Sequence, residues 1–110
     1  MVNRIEKGKR YERRVARLFN SEGYEARRGQ QYSGIGVADV VGVKGIHIEC
    51  KAVERLNLYD AIDQSRRDAK ENELPIVVHK KNNCDDLVTM RFTDWIKLYR
   101  EWELNKEQEK

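Results

Sequence analysis

Three charged side chains sit inside apolar segments at a spacing that suits chemistry. Asp39 lies in Val37-Ala38-Asp39-Val40-Val41, and ten positions later Glu49 and Lys51 close Gly45-Ile46-His47-Ile48-Glu49-Cys50-Lys51. In an extended chain alternate side chains share a face, so Glu49 and Lys51 point one way and Cys50 the other. If Asp39 stands beside them on a neighbouring strand, two carboxylates and an ammonium meet in a small space. Charges among Val and Ile cost free energy unless a cation, a substrate or each other compensates them. Two carboxylates with the backbone carbonyl of Cys50 suit a hard divalent cation such as Mg2+, with phosphate as a further partner. An ammonium is no ligand for that ion, but it can orient an attacking water or stabilise charge developing on a phosphoryl group. The trio suggests hydrolysis of a phosphodiester.

A further carboxylate stands upstream. On a helix Ile5, Val15, Ala16 and Phe19 fall on one arc, and Glu12 projects near its middle, where a carboxylate is out of place. Either Glu12 snorkels or pairs with a neighbouring arginine, or it supports a metal directly or through water. Val15, Ala16 and Phe19 then seat that helix on the sheet.

The order of these residues resembles the PD-(D/E)XK nucleases: Asp39, a short apolar interval, Glu49-Cys50-Lys51, and Glu12 as the helical acid upstream. Ala38 stands where a proline often precedes the aspartate. The segment Gly8-Lys9-Arg10-Tyr11-Glu12-Arg13 and the Gly/Ser-rich stretch before Asp39 look most like archaeal-type Holliday junction resolvases and related small phage endonucleases. The resemblance spans roughly residues 8–81. It implies a restriction-endonuclease-like fold, Mg2+ with Mn2+ as a substitute, branched DNA as substrate, and catalysis by Asp39, Glu49, Lys51 and Glu12. The metal would be held by Asp39, Glu49 and the Cys50 carbonyl, with Glu12 as an optional ligand. It also implies a serine near the substrate, for which Ser33 is the nearest match, and a glutamine on the helix after the lysine, for which Gln64 is the candidate. For a phage enzyme the expected location is the host cytoplasm.

The 110 residues suit one domain, with residues 1–103 as the catalytic domain and 104–110 as a charged tail. Hydrophobic residues make up 39% and charged ones 37%, which describes a thin core under a charged surface. No apolar run approaches membrane-spanning length and residues 1–7 show no signal-peptide pattern, so a cytoplasmic location is expected. Cys50 and Cys84 make no disulfide framework, and with His47 and His79 they fit no common zinc spacing.

Basic charge is concentrated upstream of the proposed site. Residues 1–36 carry nine Lys/Arg against four Asp/Glu, and the remainder 13 against 15. Arg10, Arg13 and Arg14 on the first helix, with Arg28 after it, are the candidate phosphate contacts; a solvated helix face is the alternative for each.

The periodicities predict helix over 3–21, a short strand over 24–27, a loop over 29–36, strands over 37–43 and 45–52 joined as a hairpin, helix over 58–72, strands over 74–79 and 87–92, and a last helix capped by Thr93 and ending near 103. Leu58, Ile62, Ser65 and Ala69 form the expected packing face of the middle helix, with Gln64 away from it. Gly34 and Gly36 lack the context of a dinucleotide fingerprint, so no nucleotide cofactor is expected. In the loop, Ser33 and Tyr32 either touch a phosphate backbone or merely belong to a flexible connection.

Trp95, Tyr99 and Trp102 at i, i+4 and i+7 belong either to the core or under a second subunit, and a homodimer is expected. The reading is thus a mixed α/β domain of order α-β-β-β-α-β-β-α, with a central mixed sheet flanked by helices and no membrane partner. Its expected activity is Mg2+-dependent, structure-selective cleavage of DNA. The alternatives are a nuclease for nicks, flaps, ends or single strands, and a non-catalytic DNA-binding or assembly module.

Overall fold

The computed structural model describes residues 3–29 and 37–109. Helix α1 (Arg4–Ser21) opens at Asn3, whose side chain accepts from the Ile5 N–H at 2.9 Å. It ends before Gly23, which takes a φ of +96° that a Cβ-bearing residue rarely adopts. The Asn20 side chain then holds both backbone groups of Ala26, donating to its carbonyl at 3.0 Å and accepting from its N–H at 2.6 Å. That clamp returns the chain along α1 into β1 (Arg27–Arg28).

Next come β2 (Val40–Val41), β3 (Ile46–Ala52), α2 (Leu58–Asp68), β4 (Leu74–Lys80), β5 (Leu87–Met90) and α3 (Phe92–Gln108). The element order is the one the sequence predicts. The sheet runs β1-β2-β3-β4-β5, with β3 and β4 parallel and every other pair antiparallel. The β2–β3 connection is the expected hairpin, and Gly42 and Gly45 supply its positive φ angles.

Several boundaries differ. Pairing in β2 covers only Val40 and Val41; the Asp39 N–H still donates to β3 at Ile48, but the next bond from β3, that of the Cys50 N–H, goes to the Asp39 side chain and not to a β2 carbonyl. Helix α2 stops at Asp68, four residues early, where Ala69 turns extended. Helix α3 begins under Arg91 with no capping side chain, not at Thr93, and runs through Gln108. The helix therefore continues through residues 104–108 past its expected end near 103; Leu, Lys, Glu and Gln are strong helix formers and no Gly or Pro interrupts them.

Strand alternation divides the core. Ile48, Cys50, Ile76 and Val78 face α1 and meet Tyr11, Val15 and Ala16, while Val77 faces α2 and meets Ala61 and Ile62. Fully burying Ile48 or Val77 contributes about 1.5–3 kcal/mol each. Ile5, expected on the packing arc of α1, is exposed because the sheet does not reach the first turn of the helix. Ser65 fixes α2 to the sheet by donating toward the carbonyls of His47 at 3.3 Å and Ile76 at 3.0 Å. No helix among the described residues is long and apolar enough to cross a membrane.

Candidate active site

The site forms where the β2 ladder ends. Asp39 N–H donates to the Ile48 carbonyl at 2.9 Å, and one residue further along β3 the Cys50 N–H finds no β2 carbonyl and donates to Asp39 Oδ2 at 2.8 Å. The aspartate thus substitutes for the missing rung. On an antiparallel strand a residue's N–H and C=O point to the same flank, so the Cys50 carbonyl is directed to the side that β2 leaves open. Gly29 anchors the neighbouring chain by donating to the Asp39 carbonyl at 2.9 Å, and a Cβ there would run into the Ala38 carbonyl.

Asp39 and Glu49 face one another. Burial, the charge of Glu49 and a proton shared with its carboxylate push the Asp39 carboxyl up to about 7, against the opposing pull of the Cys50 N–H; the charge of Glu12 adds to the rise. An Asp39 carboxyl that resists ionising beside a second carboxylate forms with it a donor set that a cation of oxygen preference would relieve. The residues present therefore fit a hard divalent ion at Asp39, Glu49 and the Cys50 carbonyl.

Glu49 is 3% exposed, and its other partner is a residue that motif spacing did not single out for this site. His47 lies two positions earlier on the same face, 2% exposed, with Nε2 2.8 Å from Glu49 Oε1. An ionised carboxylate only accepts, so Nε2 carries the proton in that state. Burial opposes the His47 imidazolium, but the hydrogen bond and charge of Glu49, with Glu73 and Asp68 beyond, more than offset it and raise the His47 pKa. Glu73 Oε1 lies 3.9 Å from His47 Nδ1. His47, Glu49 and Asp68 also bring ligand-type atoms within 4.8 Å of one another, so Glu49 is common to two clusters, one facing Asp39 and one facing α2. The alternation His47-x-Glu49-x-Lys51 was the available signal.

Glu12 sits at the margin. Its Oε1 accepts from Arg28 Nε at 2.9 Å, with both side chains partly covered. It is thus the arginine-paired carboxylate, and its charge is also felt at Asp39. Arg28, a candidate phosphate contact, is held by this pair beside the site. Lys51 is half-buried and makes no ion pair among the described residues; by strand alternation it shares the face of Glu49.

Arg14 forms a two-pronged contact with Asp86, Nη2 to Oδ1 at 2.8 Å and Nε to Oδ2 at 3.1 Å, which Tyr11 joins at 3.1 Å. The Arg14 hydrogen bond holds Asp86 below the usual carboxylate range. That arginine is committed to the fold. Arg10 is exposed on a cleft of about 240 Å3 that also collects Lys7, Arg17, Lys80 and Lys81 and reaches Ala52, the residue after Lys51. Arg13 is exposed, Gln64 is partly buried on α2, and Ser33 lies outside the described residues. Family models, curated proteins and solved structures offer no match to this chain.

Proposed function

We propose that this chain is a Mg2+-dependent endonuclease of the PD-(D/E)XK kind, acting on branched DNA in the cytoplasm. The observation that carries the reading is the opposed Asp39 and Glu49 at the end of the β2 ladder, with the Cys50 amide tied to Asp39. Asp39, Glu49 and the Cys50 carbonyl would hold the ion, with Glu12 beside them and Mn2+ as a substitute. Mg2+ there supplies Lewis-acid polarisation of the scissile phosphate.

The chain's own groups account for the rest. His47 fixes one oxygen of Glu49 and leaves the other free of that bond. Lys51 orients the attacking water and offsets charge on the phosphoryl oxygens as the water oxygen bonds to phosphorus and the bond to the leaving sugar oxygen breaks. The cleft lined by Lys7, Arg10, Arg17, Lys80 and Lys81 attracts the phosphate backbone and leads it to the end of β3. Such contacts position a backbone without reading bases, which favours recognition by shape.

The test is a cleavage panel of four-way junction, flap, nicked duplex, plain duplex and single strand. Selective cutting of the junction is expected with Mg2+ and none with chelator. Equal rates on junction and plain duplex would reject the resolvase version, and no cutting of any substrate would reject the enzyme.

A further inference from the structure

We infer that α3 is a self-association helix, pairing antiparallel with α3 of a second copy of this chain. Helix α3 leaves the body at its N-terminal end and makes few contacts with any other element. The molecule extends 53 × 30 × 27 Å, which fits a helix of 17 residues, about 26 Å long, standing off the sheet.

Its exposed face is not that of a solvated helix. Phe92, Trp95, Tyr99 and Trp102 form a ladder of rings with successive centroids 6.1, 5.2 and 5.7 Å apart, and Lys106 lies 5.6 Å over Trp102. Steps of three, four, three and four residues keep the ladder in one seam at a mean period of 3.5, the spacing with which two helices interlock side chains along a left-handed pair. The rings are 71, 47, 41 and 55% exposed. At about 200 Å2 per ring they leave roughly 400 Å2 of aromatic surface to water, at the scale of the largest patch on ordinary monomers. Val88, exposed on edge strand β5 in the same hollow as Phe92 and Trp95, continues the patch from the base of the helix toward the roughly 800 Å2 per partner that a stable dimer buries.

Charge selects the direction and the occupant. Residues 91–100 carry Arg91, Lys97 and Arg100 against Asp94, whereas residues 101–109 carry Glu101, Glu103, Glu107 and Glu109 against Lys106. An antiparallel pair lays each basic half against the other copy's acidic half, and a parallel pair stacks like on like. Centred on Tyr99, the antiparallel register sets Trp95 beside Trp102 of the second copy and brings Lys106 over its Phe92. The second copy's C-terminal half then covers the β5 patch.

The full chain should sediment as a dimer at micromolar concentration. Trp102→Glu should raise its dissociation constant at least about tenfold with the circular dichroism of the domain unchanged. In a Cys84→Ser background, oxidation of a mixture of Trp95→Cys and Trp102→Cys chains should cross-link one to the other, with neither linking to itself. A monomeric parent, a Trp102→Glu chain that dimerises as tightly as the parent, or self-linking of Trp95→Cys chains would overturn the pairing.

Discussion

Replacing Asp39 by Asn should make the metal-free protein more stable at pH 8 while abolishing its activity. A carboxyl lifted from 3.8 to about 7 by burial and by Glu49 disfavours its charged form by on the order of 4 kcal/mol, at about 1.36 kcal/mol per pH unit. Part of this is returned to the folded chain because Asp39 is only partly buried. Asn keeps an acceptor for the Cys50 N–H and offers Glu49 a donor, so the expected net gain is about 1–3 kcal/mol.

The sign fixes the pH window. The folded chain binds this proton more tightly than the unfolded one, so the carboxyl lowers stability progressively as pH rises from about 4 to 7. Urea unfolding in chelator should therefore show parent and variant alike near pH 4 and the variant ahead by about 1 M in midpoint at pH 8, for a slope of 1–3 kcal/mol/M. Added Mg2+ should raise the parent's midpoint and leave the variant's unchanged. A variant less stable than the parent at pH 8, or a difference independent of pH, would refute the opposed-carboxylate reading.

Other substitutions separate the remaining roles. Glu49→Gln should remove cleavage and leave the fold intact, since Gln still accepts from His47; nuclease assay and circular dichroism check both. His47→Leu should destabilise the domain by about 1–3 kcal/mol, because it leaves the buried Glu49 without its donor, and should weaken Mg2+ binding in calorimetry. Lys51→Ala should lower turnover at saturating Mg2+ with little change in the Mg2+ concentration needed; cleavage at the parent rate would remove the lysine from the chemistry. Arg10→Ala or Arg13→Ala should reduce the slope of DNA affinity against salt by about one, as read by fluorescence anisotropy, and an unchanged slope would return that residue to the solvated surface.

What was legible in the sequence was local. The apolar alternation of residues 45–52, the Val43-Lys44-Gly45 turn and the helical arc of α1 specify a helix, a hairpin and the meeting of Asp39 with Glu49, because each depends on neighbours a few residues apart. What was not legible depends on long-range placement. Arg14 reads as a surface cation until β5 brings Asp86, 72 residues away, against α1. Asp68 and Glu73 come to His47 only because α2 crosses the sheet and β4 runs parallel to β3. The α2 stripe named Ile62 and Ser65 but missed Ala61, since a periodicity gives a face and not its centre. The aromatic face of α3 was plain, yet spacing alone did not say that the domain would leave it uncovered.

The most direct measurement is cleavage of an end-labelled four-way junction by the purified chain in Mg2+, run beside Asp39→Asn and a chelator control. The account predicts discrete cuts by the parent and none in either control. Parent-like cutting by Asp39→Asn, or an intact junction with the parent, would contradict it.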